Sequence, residues 1–175
     1  MKRIIVLLLL ALVMFAPTVF AQTPTTAEQF YERGCQYFEK GDSDRAIADF
    51  TQAIRLDPNN GDAYGTRGAI YASIRDYDRA IADFTQLIRF DPNNSYAYSS
   101  RGEAYANKRD YDRAIADCTQ AIRLDPNNGN AYIERGKAYV GKRDFDKAIA
   151  DLEVGVQLAP WRIDAEEILE ELKKR

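Results

Sequence analysis

Apolar and polar residues alternate along this chain with two rhythms. At short range, apolar positions recur three or four residues apart, as on one face of a helix. Tyr98, Gly102 and Tyr105 form one such series, and Ala114, Cys118, Ala121 and Ile122 form another. The stretch "NKRDYD" at 107–112 lies between them and predicts a short turn. At long range the whole pattern returns every 34 residues: "LDPNN" at 56–60, "FDPNN" at 90–94 and "LDPNN" at 124–128. A further step lands on "LAPWR" at 158–162. A fixed period of this length predicts supersecondary units stacked side by side.

Four copies align from Ala27 to Arg162. Each carries a proline (Pro58, Pro92, Pro126, Pro160), a glycine (Gly34, Gly68, Gly102, Gly136) and a tyrosine three residues after the glycine (Tyr37, Tyr71, Tyr105, Tyr139). Each also has an alanine in its second half: Ala46, Ala80, Ala114 and Ala148. The pattern predicts two helices per copy. Asp-Pro ends the second one, because proline lacks an N–H and drives the residue before it out of the helical region. Asn tolerates the backbone angles of the turn that follows. Gly102 suits a close approach of two helix backbones, with Ala114 opposite it.

This arrangement of aromatic, glycine, tyrosine, alanine and proline positions resembles the tetratricopeptide repeat family over residues 27–162. The resemblance implies an all-α fold, an α-solenoid of four helix-turn-helix repeats at 27–60, 61–94, 95–128 and 129–162. It also implies a right-handed superhelix with a concave and a convex face. One repeat is too small to bury a sufficient core alone, so each depends on its neighbours, and the terminal copies must be altered to meet water. The altered fourth copy fits the end of an array. Residues 163–175, "IDAEEILEELKKR", place Ala165, Ile168, Leu169 and Leu172 on one stripe and predict a capping helix. Trp161, the only tryptophan, is expected to pack at its entry. At the other end, "TTAE" at 25–28 has the form of a capping box.

One departure from the family pattern makes a prediction of its own. Where the family has leucine before its glycine, all four copies have arginine: Arg33, Arg67, Arg101 and Arg135. Sixteen residues later each has an aspartate: Asp49, Asp83, Asp117 and Asp151. One member falls on each helix of a pair, which predicts four arginine–aspartate bridges.

The first residues change the picture of where the protein works. Met1-Lys2-Arg3 precedes an apolar run from Ile4 to Ala16, and Val19 and Ala21 frame a cut. These are the parts of a secretory signal peptide, and the apolar run is too short for a spanning helix. Residues 1–21 are therefore expected to be removed, with 22–26 as a short linker and no stable membrane insertion afterwards. Loss of Lys2 and Arg3 leaves 22 basic against 27 acidic side chains. That balance argues against nucleic acid as a partner.

Candidate chemistry is sparse. The 175-residue chain contains no histidine, which removes the commonest general base and metal ligand. It has no glycine-rich phosphate loop, and its carboxylates mostly recur at turns. No enzyme activity, metal or cofactor is expected. Its two cysteines fall in different repeats, Cys118 at an apolar position and Cys35 at a variable one expected to be exposed.

The resemblance places a ligand groove along the first helix of each repeat. It implies Tyr31, Cys35 and Phe38 from the first copy, then Tyr96, Ser99, Glu103 and Asn107 from the third. Asn130, Ile133, Lys137 and Val140 follow from the fourth, and small residues such as Ala69 and Ala72 from the second. Some family members clamp the acidic C-termini of chaperones with basic or amide groups. This chain has Tyr31, Cys35, Tyr96 and Ser100 where such groups would stand. The expected function is an exported, non-enzymatic scaffold, periplasmic or secreted, that binds a protein segment in its groove. The alternative is a self-associating assembly protein, a homo-oligomer built through its ends.

Overall fold

The computed structural model describes residues 23–174. The expected signal segment, 1–21, lies outside them. The described chain forms an α-solenoid. Its helices run α1 (Ala27–Glu39), α2 (Ser43–Leu56), α3 (Gly61–Ser73), α4 (Tyr77–Phe90), α5 (Ser95–Asn107), α6 (Tyr111–Leu124), α7 (Gly129–Lys142), α8 (Phe145–Leu158) and α9 (Ile163–Lys173). Consecutive helices pair as four helix-turn-helix hairpins that stack side by side, and α9 closes the last one.

The repeated phrase explains itself in the turns. The side chain of Asp57 accepts from the Asn59 N–H at 3.0 Å, and Asp91 and Asp125 do the same for Asn93 and Asn127. The second asparagine then caps the next helix. Asn60, Asn94 and Asn128 accept from the backbone of Ala63, Ala97 and Ala131 at 2.9–3.0 Å. Within each repeat, Asp42, Asp76, Asp110 or Asp144 caps the second helix in the same way. The predicted turn at 107–112 is therefore shorter than expected, since Asn107 ends α5 and Tyr111 begins α6. The N-terminal capping box also sits one residue later than its sequence form suggested. Thr26 and Gln29 make it, with the Gln29 side chain accepting from the backbone N–H groups of Thr25 and Thr26.

Close helix contact does use the glycines. A side chain at Gly102 would lie 2.6 Å from the Cys118 sulfur and 3.3 Å from the Ala114 carbonyl. The repeated alanines Ala46, Ala80, Ala114 and Ala148 are fully buried beside these contacts. The buried apolar residues divide into clusters along the array, each shared between neighbouring helices. Stability of such an array is roughly a sum of repeat and interface contributions.

All four arginine–aspartate bridges form, and each is bidentate. Arg33, Arg67, Arg101 and Arg135 donate through Nε and Nη2 to both oxygens of Asp49, Asp83, Asp117 and Asp151 at 2.6–2.8 Å. The aspartates are buried, Asp83 to 4% exposure. Three of the arginines extend the bridge across repeats. Nη1 of Arg67, Arg101 and Arg135 donates to Thr51, Thr85 and Thr119 of the repeat before, at 2.8, 3.1 and 3.1 Å. A second ladder joins turns, from Lys108 to Asp78 and from Lys142 to Asp112.

The two ends differ from the interior. Ala63, Ala97, Ala131 and Ala165 are buried against the preceding repeat, as are Ile70, Ala104, Ala138 and Leu172. The matching residues of the first repeat are Gln29 and Gln36, both exposed. At the other end, Arg162 replaces the capping asparagine and makes no cap hydrogen bond to α9.

The candidate groove and its closure

The sequence brings the first helices of the repeats, α3, α5 and α7, to one side of the array. Between them lies a concave cleft of about 410 Å³. Ala69 and Ala72 of α3 give it a low apolar wall, and Tyr96, Ser99, Glu103 and Asn107 of α5 cross its middle. Asn130 and Glu134 of α7 form the opposite wall, and Arg162 closes the end. Phe84 lies beneath, its ring edge-on to Tyr96 at 6.2 Å between centroids. Tyr96 keeps 52% of its surface exposed. Asn107 stands in this cleft where the next repeat has Gly141, whose missing side chain lets Tyr111 press against the α7 backbone.

Five of the expected groove residues, Tyr96, Ser99, Glu103, Asn107 and Asn130, meet in this cleft. The others do not. Ile133 is fully buried, with its side chain against Gly155 of α8, so it offers no groove surface and that expectation is corrected. Its place in the period matches Ser99, whose small side chain leaves the cleft floor free. Lys137 and Val140 border a separate 260 Å³ hollow between α7 and α9, together with Ile168 and Leu172. Tyr31 and Cys35 pack on the first buried cluster, Tyr31 with its ring 5.5 Å from that of Phe50. Burial pushes the Tyr31 phenol up. Cys35 is half-buried rather than exposed, because it packs against the first buried cluster. Phe38, one turn further, is exposed.

Charge gathers at the closed end. Arg162 donates to Glu134 at 2.7 Å, to Asn130 at 2.9 Å and to both oxygens of Asp164 at 2.9 and 3.0 Å. Lys137 reaches Glu134 at 3.2 Å and Asp164 at 2.6 Å. Arg162 and Lys137 hold the Asp164 carboxyl well below the usual carboxylate range. Glu103 sits beside this network without a bond to its carboxylate from any described residue. It is exposed, yet the cleft walls displace water around it. That desolvation, and then the neighbouring Glu134, push its carboxyl above the usual glutamate range, against a weaker pull from Arg162 and Lys137.

Sequence reasoning missed Arg162, Glu134 and Asp164. The available signal was the position of Arg162: a long cationic side chain stands where Asn60, Asn94 and Asn128 serve as caps. Trp161 was expected to pack against the capping helix and does not, remaining 69% exposed. Ala159 and Ala165 occupy the buried positions at this junction instead. Cys118 is buried as expected, and burial pushes its thiol well up; both thiols are free.

This geometry is that of a known class of interaction fold. Two tetratricopeptide repeat models match the sequence, one over residues 31–95 and 71–129, the other over 102–173. The chain belongs to the tetratricopeptide repeat family, whose members are generally non-enzymatic scaffolds. A comparison with curated proteins finds no match. Among solved structures, MamA (residues 41 to the end) from Desulfovibrio magneticus RS-1 is similar in fold, with 22% identity and a TM-score of 0.76 over 85% of this chain and 84% of that one. YrrB, described as a tetratricopeptide repeat protein with an unusual peptide-binding site, has 22% identity and a TM-score of 0.74 over 82% and 74%. The first such domain of Spaghetti (RPAP3), bound to the HSP90 peptide SRMEEVD, has 27% identity and a TM-score of 0.65 over 67% and 94%.

Proposed function

We propose that this protein is a non-enzymatic scaffold that holds a segment of another protein in its concave groove, outside the cytoplasm. The observation that carries the groove reading is the open cleft at Tyr96. An aromatic side chain half in water stands over an alanine wall, with amide and hydroxyl groups beside it. Such a site suits an apolar anchor and the backbone of an extended or helical segment. Peptide complexes of similar folds, such as that of Spaghetti with SRMEEVD, support the same mode. The acidic character of that peptide does not suit this cleft, because Glu103 stands in its middle and Glu134 in its wall. The export reading rests on the Lys2-Arg3 start, the apolar run and the Ala21 cut. The polar Gln29 and Gln36 at the first repeat's outer face weigh against assembly through that end.

Photo-crosslinking tests the groove reading in the native cell-envelope fraction, with Tyr96 replaced by p-benzoylphenylalanine. A dominant adduct to one other protein supports it. Adducts to the protein itself favour self-assembly, and adducts only from equivalent probes on the convex face overturn it. Mass analysis of the purified protein tests export: an intact Met1 overturns that part.

A further inference from the structure

The charges at the closed end of the cleft do not balance. At its closed end three carboxylates, Glu103, Glu134 and Asp164, share two cations, Arg162 and Lys137. Both cations are committed to Glu134 and Asp164 by hydrogen bonds of 2.6–3.2 Å. Glu103 is the carboxylate left over. The other cation of the cleft, Arg75, stands on the α3–α4 turn and makes no ion pair with Glu103.

From this imbalance we infer that the cleft recognises a protein segment carrying a lysine or arginine side chain that pairs with Glu103, next to an apolar side chain held by Tyr96 and the alanine wall. The inference rests on the groove reading and names the chemistry of its occupant. A cation arriving at Glu103 completes a set of three carboxylates and three cations. An ion pair in a partly enclosed site is screened less by salt than one on open surface. The charged hydrogen bond sets register along the groove, while the apolar neighbour supplies contact area. An acidic segment meets the reverse condition, a fourth carboxylate beside an unpaired one. A basic segment also agrees with the way Arg162 is held: tied to three partners, it is not free to receive an anion in the ligand.

The test is selection of short random peptides, blocked at both ends, on the full mature chain and on Glu103→Gln, Glu103→Lys and Tyr96→Ala. Circular dichroism melts establish that each variant keeps its fold. The expected result is enrichment of lysine or arginine next to an aliphatic residue on the native chain. Enrichment of the basic residue disappears on Glu103→Gln and turns to aspartate or glutamate on Glu103→Lys. A selected peptide should bind Glu103→Gln about tenfold more weakly, the loss of one charge-assisted hydrogen bond. Peptides that depend on Tyr96 but show no basic preference, or keep it on Glu103→Gln, overturn this inference and leave the groove reading standing. Absence of any Tyr96-dependent peptide overturns both.

Discussion

Arg101 and Asp117 meet in a two-pronged ion pair, Nε and Nη2 donating to the two carboxylate oxygens at 2.7 and 2.8 Å. The third arm of the same guanidinium reaches Thr85 in the preceding repeat. One side chain thus ties the two helices of its own repeat and fastens that repeat to its neighbour. Arginine can do this because its five donors point in a fixed fork, which a lysine could not reproduce.

Truncation of the aspartate should therefore be costly in the interior and milder at the end. Asp117→Ala leaves Arg101 largely buried and unpaired, a loss of about 3–5 kcal/mol. Asp49→Ala should cost clearly less, because Arg33 already has 37% of its side chain in water and makes no contact to a preceding threonine. Urea unfolding of the two variants measures the difference. Equal losses would show that burial does not control the strength of these bridges.

The threonine rung isolates the coupling between repeats. Thr85→Val keeps shape and removes the acceptor of the Arg101 Nη1 donor, for an expected loss of about 1 kcal/mol. The loss falls on an interface rather than within a repeat, so the unfolding transition should also broaden as cooperativity weakens. A sharp transition with unchanged midpoint would remove the threonine from any linking role.

The repeat architecture and these bridges were legible in the sequence because they recur. A 34-residue period places Arg101 and Asp117 in the same relation four times, and sixteen residues lead from a position on the first helix to the one facing it on the second. Features that occur once, or that join non-equivalent positions, were hidden. Arg162 looked like decay of a motif, yet its side chain passes over Glu134 and Asn130. Ile133 looked like a groove residue because its register matched Ser99. Its greater bulk instead fills the space that Gly155 opens in α8. The threonines recur as well, yet an uncharged hydroxyl carries no sign of the guanidinium it meets in the next repeat.

Acid should loosen the C-terminal end first. Asp164 has its folded-state affinity for protons lowered by Arg162 and Lys137. Its contribution to stability is therefore present above the ordinary aspartate range and is lost as pH falls through and below that range. Protection of the α9 amides from hydrogen exchange, taken relative to the intrinsic rate at each pH, should fall there before that of α5 or α6. In Asp164→Asn the α9 amides should already exchange faster at neutral pH, and much of the acid dependence should vanish. An unchanged acid dependence in that variant would assign the effect to other carboxylates.

Glu103 titrates with the opposite sign. Its folded-state affinity for protons is raised, so its ionisation destabilises the fold as pH climbs past the ordinary glutamate range. Glu103→Gln should melt at a higher temperature than the native protein at neutral pH, and the advantage should shrink in acid. A charged group kept at a cost in stability is what a binding site requires. If Glu103→Gln is less stable at neutral pH, the carboxylate has an internal partner and the ligand argument loses its base.

The first repeat's outer face offers the last test. Interior repeats bury an alanine and an apolar residue against the neighbour before them, Ala63 with Ile70, Ala97 with Ala104 and Ala131 with Ala138. The first repeat has Gln29 and Gln36 there, so the face that would welcome another hairpin is polar. Gln29→Ala with Gln36→Ile restores the interior pattern and should create an apolar face with nothing among the described residues to cover it. The far end cannot cover it, because α9 already lies over the last repeat and turns Glu166, Glu167 and Glu170 outward. Contact between like ends is the remaining solution, and it closes after two copies rather than growing a filament. Light scattering should then show dimers of the variant that dissociate on dilution, while the native protein keeps one mass. Each glutamine alone should shift the equilibrium less than the pair, because the alanine and isoleucine positions contribute to one contiguous patch. If the double variant stays monomeric and stable, the glutamines are not what keeps this end from stacking.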